Sequence, residues 1–385
     1  MRRRTKIAAG VITATLLLAG CGATTLEAAS TSTPTAVVST AATVETTSTV
    51  SSTVEGVDVD WSTLPTTEVT LTDAGTTITA AGTYVLSGST TGQVVVNSDG
   101  AVRLVLNGVT IASSAGAAIQ VDGAELTVIE LAEGSTNTVS DAATRSDESI
   151  DGAIYSSDDL YITGSGSLSV TSNFADAIVG KDDLSILGGT IAVTSVDDGI
   201  RGKDSLTITG GTITIDAAQD ALKSSNDTDA GKGVLTITGG QLTIRAGDDA
   251  IKAEQSLSIT GGTIDIQTSV EGIEAPVIVI DGGTITLNAS DDGINASASA
   301  IVTSGLSITI NGGDISITMG SGDTDAIDSN GDLTITGGTL NITAQSPFDY
   351  DGTGTLTGGT ITVNGESVTA LTNQMMGGGG GGGRP

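Results

Sequence analysis

The sequence predicts an all-β chain folded as a right-handed parallel β-helix with coils of about 22 residues, and three observations carry that prediction. Glycine pairs begin at 188, 210, 239, 261, 282, 312, 337 and 358, so that steps of 21 or 22 residues recur. Short runs alternating Ile, Leu or Val with Thr or Ser flank each pair, as in Leu-Thr-Ile-Thr at 206–209 and Thr-Ile-Thr-Ile at 212–215. A period of two marks a strand with one buried face. Once per repeat an apolar anchor follows an acidic element, at Ile178, Ile200, Leu222, Ile251, Ile273, Ile294 and Ile327. A fixed period of this size means stacked units, each burying its apolar positions against the next. The Leu/Asn spacing of leucine-rich repeats is absent, and a propeller blade needs a longer unit of four strands. The right hand follows from the general preference of parallel crossovers.

The elements follow in order. Arg2, Arg3, Arg4 and Lys6 precede the apolar run from Ile7 to Ala19. That run is too short for a bilayer, which needs about 20 apolar residues, and 1–20 reads as an export signal. It closes on Leu18-Ala19-Gly20-Cys21, which resembles the lipobox of bacterial lipoproteins, whose cysteine carries lipid after cleavage. Cys21 is the lone cysteine of the chain, so no disulfide claims it. The expected product is an extracellular lipoprotein anchored to the membrane at Cys21. Residues 21–56 form a Thr/Ser-rich linker, 57–145 an N-terminal cap with the first coils, 146–371 the repeat coils and 372–385 a glycine-rich tail.

Charge and composition exclude several functions. The 385 residues carry 45 acids against 14 bases, for a net charge of −31, and four of the bases lie in the signal. Such a surface repels nucleic acid and attracts divalent cations. The chain has no histidine, which removes histidine-dependent hydrolase triads and His-ligated zinc. The glycine pairs precede strands rather than helices, so they are not phosphate-binding loops.

The acids themselves are patterned. Asp176, Asp197-Asp198, Asp220, Asp248-Asp249, Glu271, Asp291-Asp292 and Asp325 occupy the same place in successive repeats. In stacked strands they form a ladder at about 4.8 Å, where neighbouring charges repel by about 3 kcal/mol at an effective dielectric near 20. Three arrangements relieve this: cations bridge the row, bases pair with it, or the carboxylates splay into water. Calcium suits the first, since Ca–O distances of about 2.3–2.6 Å let one ion sit between two rungs. Lys181, Arg201, Lys203, Lys223 and Lys252 follow the matching acids by three or five residues and suit the second. A purely structural role is also open, in which each Asp caps backbone amides of its turn.

The Asp-Gly-Ile elements and Thr-Ile-Thr-Gly-Gly-Thr-Ile strands, with Gly-Thr-Tyr-Val-Leu-Ser-Gly at 82–88, Leu-Asn-Gly-Val at 106–109, Leu131-Ala-Glu-Gly134 and the glycine-rich tail, resemble a family of bacterial extracellular carbohydrate-binding β-helix proteins. The resemblance spans about 57–365. It implies a fold similar to pectate lyases, Ca²⁺ held by the acidic row, and a pectic or cellulosic polysaccharide as partner. The bases beside the row are then expected to contact sugar. Tyr155, Tyr161, Phe174, Phe348 and Tyr350 are the candidates for ring contact, Tyr155 and Phe174 foremost. The chain departs from the family in its few aromatics, 2% of residues. The expected function is a non-catalytic, monomeric binding protein. Two other readings stand beside it. One is a structural, adhesin-like surface spacer. The other is an enzyme, either a calcium-dependent polysaccharide lyase with Arg201 or Lys203 as base or a glycosidase with an Asp pair. Neighbours such as Asp197 and Asp198 point to opposite faces of a strand, which disfavours the glycosidase.

Overall fold

A computed structural model describes residues 51–54, 56–320 and 324–373. The signal, Cys21, most of the linker and nearly all of the tail lie outside the described residues. Among those described there is no α-helix, only a 3₁₀ turn at Trp61–Thr63 and strands in a 24-stranded and a 12-stranded sheet.

The two sheets make three parallel ladders. The smaller sheet is one ladder, to which each repeat contributes a short strand, such as Ile200–Gly202. The larger sheet is two ladders, fed by the strands on either side of each glycine pair, such as Ser205–Ile208 and Thr212–Ala217. The long strand Val102–Ala112 joins them, pairing with both Thr127–Leu131 and Thr136–Ser140. The product is a solenoid-like stack of parallel strands.

The register ties like to like. Ile178 pairs with Ile200, Ile200 with Leu222, Leu222 with Ile251, then Ile273, Ile294 and Ile327 in turn. All seven are fully buried in one continuous core. Removing such a side chain from water is worth about 1.5–3 kcal/mol, so a one-residue slip that turned the column outward would be prohibitive. The two longer steps, Leu222 to Ile251 and Ile294 to Ile327, absorb extra loop between strands rather than extra strand.

Alternation appears as burial: in Thr212–Ala217, Ile213, Ile215 and Ala217 are buried while the residues between are exposed. Glycine makes the corner. Gly211 sits at φ +92°, and a Cβ there would lie 3.0 Å from the Gly189 carbonyl oxygen of the coil below. Only a residue without Cβ takes that backbone at that separation.

Both ends are finished differently from the middle. At the N-terminal end Val54, Val57 and Trp61 pack with Ala101 and Val128 on the outer side of the larger sheet. Buried Arg103 pairs there with Glu130 and lies 5.9 Å from the Trp61 ring centre. At the C-terminal end Glu366–Val368 folds back antiparallel onto Thr360–Val363 and closes the larger sheet's last edge. Unprotected edges invite pairing with other chains. Strand Leu160–Gly164 pairs with Thr127–Leu131 on one side and Asp183–Ile186 on the other, so the stack runs unbroken from the first coils into the regular repeats.

Candidate functional site

The register of the smaller sheet places one acid of each repeat two residues before the buried anchor. Asp176, Asp198, Asp220, Asp249, Glu271, Asp292 and Asp325 thereby fall in a single row. Asp197, Asp248 and Asp291 sit one residue earlier, off the row, and Asp197 and Asp291 are exposed.

Four aspartates of the row staple their coil to the next. The Asp198 N–H donates to Asp176 Oδ1 at 3.1 Å, Asp220 N–H to Asp198 Oδ1 at 3.2 Å and Asp249 N–H to Asp220 Oδ1 at 3.0 Å. Asp325 N–H donates to Asp292 Oδ1 at 3.2 Å in the same way. Turn capping therefore operates along the row, using one oxygen per carboxylate.

In the first half of the row the second oxygen meets a base. Arg201 Nε donates to Asp176 Oδ2 at 2.7 Å, Lys223 bridges Asp198 Oδ2 (3.2 Å) and Asp220 Oδ2 (2.7 Å), and Lys252 pairs with Asp249 Oδ2 at 2.6 Å. Asp151 completes the network, accepting from Lys181 at 2.9 Å and Arg201 at 2.5 Å. Sequence reading missed Asp151 because its Asp-Gly-Ala-Ile element carries one residue more than Asp-Gly-Ile, so its register partner is the residue before Gly152's match, Asp176.

Burial pushes Asp176 up to about 7, against the pull of Arg201. It also raises Asp198, against Lys223. Asp249 is raised to about 8 by burial and by its hydrogen bond with Glu274. For the bases burial opposes charge, yet the facing carboxylates outweigh it. Asp176 and Asp151 raise Arg201, Asp198 and Asp220 raise Lys223, and Asp249 with Glu274 raises Lys252. All three bases hold their protons firmly.

The column of those bases changes sign along the stack. Arg201 pairs in register with Lys223 and Lys223 with Lys252, but Lys252 is followed by Glu274, Asn295, Asp328 and Asp349. Beyond Lys252, which also reaches Glu274 at 2.5 Å, two acid-bearing columns face each other. Among the described residues no lysine or arginine pairs with Asp292, Asp328 or Asp349. Burial, reinforced by neighbouring carboxylates, raises Glu271 to about 7, Asp292 to about 6 and Asp328 to about 7. Asn295 Nδ2 donates to Glu271 at 3.0 Å, while Asn295 Oδ1 and Asp349 Oδ1 are buried without a hydrogen-bond partner.

Over the base-bearing coils lies an open trough of about 700 Å³ whose walls include Asp151, Lys181, Asp197, Arg201, Lys203, Gln219, Lys223, Ser225 and Asp248. Lys203 is exposed in it and makes no ion pair among the described residues. The aromatics do not line it as platforms. Tyr155 is 8% exposed, packed on Ala117 and Val179 with Lys181 Nζ 5.8 Å from its ring centre. Phe174 has the Arg145 guanidinium 4.8 Å over its ring. Phe348 is in the core, Tyr161 packs in the N-terminal cluster and Tyr350 against the core.

The sequence profile of the family described as carbohydrate-binding domain-containing protein matches residues 72–324 and 270–374, nearly the whole stack. The chain belongs to that family. A carbohydrate-binding domain-containing protein of Acetivibrio thermocellus is 39% identical over 124 residues, 30% of this chain and 43% of the relative. The chain thus spans less than half the length of this curated relative. Among solved structures, a polysaccharide lyase-like protein from C. thermocellum, described as a gadolinium derivative, matches at 33% identity with a TM-score of 0.54. That match covers 55% of this chain and 96% of the other. The walls of the trough carry both hydrogen-bond donors, Lys181, Arg201, Lys203 and Lys223, and acceptors, Asp151, Asp197 and Asp248.

Proposed function

We propose that the chain is a non-catalytic polysaccharide-binding protein, a right-handed parallel β-helix of about 22-residue coils held as a monomer at the cell surface by lipid on Cys21. The trough between Asp151 and Asp248 supports this most directly: its donors and acceptors recur coil after coil in a carbohydrate-binding domain family member. The polymer is of plant cell-wall type, cellulosic or pectic. Lys203 is its strongest expected contact, because among the described residues no carboxylate forms an ion pair with it.

Of the two candidate bases, Arg201 is poorly suited to elimination chemistry, and so are its register partners Lys223 and Lys252. A lyase needs a group that gives up its proton near the working pH, whereas Arg201, Lys223 and Lys252 are all shifted the other way by their carboxylates. The resemblance to a polysaccharide lyase-like protein then reflects shared architecture, as commonly happens when sites differ on one fold.

We place Ca²⁺ on the second half of the row. Calcium takes six to eight oxygen ligands; Glu271 and Glu274, which with Asp249 bring one carboxylate oxygen each within 4.8 Å of one another, open this stretch, and Asp292, Asn295, Asp328 and Asp349 continue its two columns. The buried unpartnered oxygens of Asn295 and Asp349 are what a cation would satisfy. Asp176, Asp198, Asp220 and Asp249 fit less well, having both oxygens engaged by an amide and a base, or by a base and a neighbouring acid.

The test is retention of the mature chain on insoluble cellulose and on polygalacturonate gel, with calcium and with chelator. Retention without ultraviolet-absorbing unsaturated product is expected. Release of such product would establish a lyase, and no retention on either polymer would leave a surface spacer.

A further inference from the structure

Granting the carbohydrate reading, we infer that the glycan lies along the axis of the stack, one sugar residue per coil, with four residues held from the coil of Lys181 to that of Lys252. The trough is periodic in one direction only. Moving up one coil replaces Arg201 by Lys223 and then by Lys252 at the same lateral position. The pairing of Gly180, Gly202 and Ser224 sets Lys181, Lys203 and Ser225 in a second line one residue further on. On the other side Asp197, Gln219 and Asp248 form a third line, of acceptors, since each directly precedes a member of the acidic row. The coils of Arg201 and Lys223 therefore offer acceptor, base and outer donor in the same lateral order, while the coil of Lys181 adds the outer donor beside Val179 and that of Lys252 adds the acceptor and base, with Glu254 outermost.

The step between coils is about 4.8 Å, close to the length of one pyranose residue in an extended chain. A polymer laid along the axis meets a lysine or arginine at every residue and reaches all three lines. Laid across the trough, it meets each line once and leaves the other coils unused. The bases have capacity to spare. An ammonium carries three N–H donors, and Lys223 spends two on Asp198 and Asp220 while Lys203 spends none on a carboxylate among the described residues. Beyond Lys252 the base column ends at Glu274, which sets the length of the run.

The experiment is calorimetric titration of the mature chain, in calcium, with cello-oligosaccharides and oligogalacturonides of two to six residues. Wild-type affinity should climb with each residue to four and then flatten. Lys181→Ala removes an end coil's donor, so it should weaken the tetramer by about fivefold or more while weakening the trimer by at most about twofold, since a trimer still fits on the remaining coils. An equal loss at every length, or affinity that saturates at two residues, would overturn the axial placement and leave the carbohydrate reading intact. Retention on polymer without oligomer binding would overturn the four-residue site. Failure of both oligomers and polymers would overturn the carbohydrate reading itself.

Discussion

Replacing Asp220 by alanine separates the work of the acidic row from any metal. The Asp220 side chain is 4% exposed and does two things at once. Its Oδ1 accepts the Asp249 N–H at 3.0 Å, and its Oδ2 holds Lys223 at 2.7 Å. Alanine orphans the amide in a buried turn, at about 1–3 kcal/mol. It also removes one of two carboxylates from Lys223, which keeps Asp198 at 3.2 Å and is 24% exposed. That loss therefore costs about 1 kcal/mol rather than the 3–5 of an uncompensated buried charge. The whole effect is about 2–4 kcal/mol by this reasoning. Asparagine retains an oxygen for the amide and gives up only the charge, so Asp220→Asn should cost about 1 kcal/mol. Urea unfolding followed by far-ultraviolet circular dichroism, with and without chelator, reads both variants. Neither cost should depend on chelator, because the coils carrying Asp220 neutralise their acids with bases. An alanine variant within about 0.5 kcal/mol of wild type would show that the staple is idle. A cost that disappears in chelator would show that a metal, not Lys223, balances the row here.

The acidic coils should show the opposite dependence on conditions. The folded values of Glu271 and Asp328 (about 7) and Asp292 (about 6) exceed the ordinary 4.5 and 3.8, so folding takes up protons and these groups cost stability increasingly as pH rises from about 4 to about 7. The melting temperature without calcium should be higher at pH 5 than at pH 8, calcium should narrow the gap, and Asp328→Asn should flatten it; a higher melting temperature at pH 8 in chelator refutes the assignment. Gly240→Ala meets φ +91° and a Cβ 3.1 Å from the Gly210 carbonyl oxygen, whereas Gly231→Ala meets φ +82° in open space. The first should cost at least twice the second, which carries only the left-handed penalty of about 1–2 kcal/mol, as read from urea midpoints. Lys203→Ala should leave stability within about 0.5 kcal/mol of wild type, and weaken retention on polymer about fivefold; unchanged retention would remove Lys203 from the site.

Most of the stack was legible because its signals are redundant. Ile200, Gly210-Gly211 and the runs around them each specify the same register, and each recurs one coil later, so local noise is averaged out. The acidic row was legible for the same reason. What sequence could not weigh is how each carboxylate divides its oxygens. Asp198 and Asp292 sit in the same kind of element, yet one meets Lys223 and the other faces Asn295's column. That difference depends on residues three and more positions away and on the coil above. Asp151 escaped because its element is one residue longer, and Asp349 because Asp-Tyr does not look like a repeat of Lys252 until the ladder aligns them. The aromatic candidates illustrate a limit of composition. Tyr155 and Phe174 are scarce residues in suggestive places, and composition could not show that each has a cation of the protein over its ring, Lys181 and Arg145 respectively.

The change of sign between Lys252 and Glu274 gives one row two uses. Where bases follow the acids, every buried charge has a partner within the protein, and the coils need nothing from solvent to be electrically balanced. Such coils can spend their remaining N–H groups and outer acceptors on a ligand. Where acids and Asn295 follow the acids, the same geometry brings carboxylates within one strand spacing of each other at about 4.8 Å, and raised values at Glu271, Asp292 and Asp328 record the cost. On the calcium assignment proposed above, a cation would remove that cost at the coils next to the trough and leave the backbone staple from Asp292 to Asp325 untouched. Glycan binding and metal loading would then be neighbours on one face rather than one site. Chelation should first loosen the C-terminal coils, and it should weaken glycan retention only as far as that loosening reaches back to Lys252.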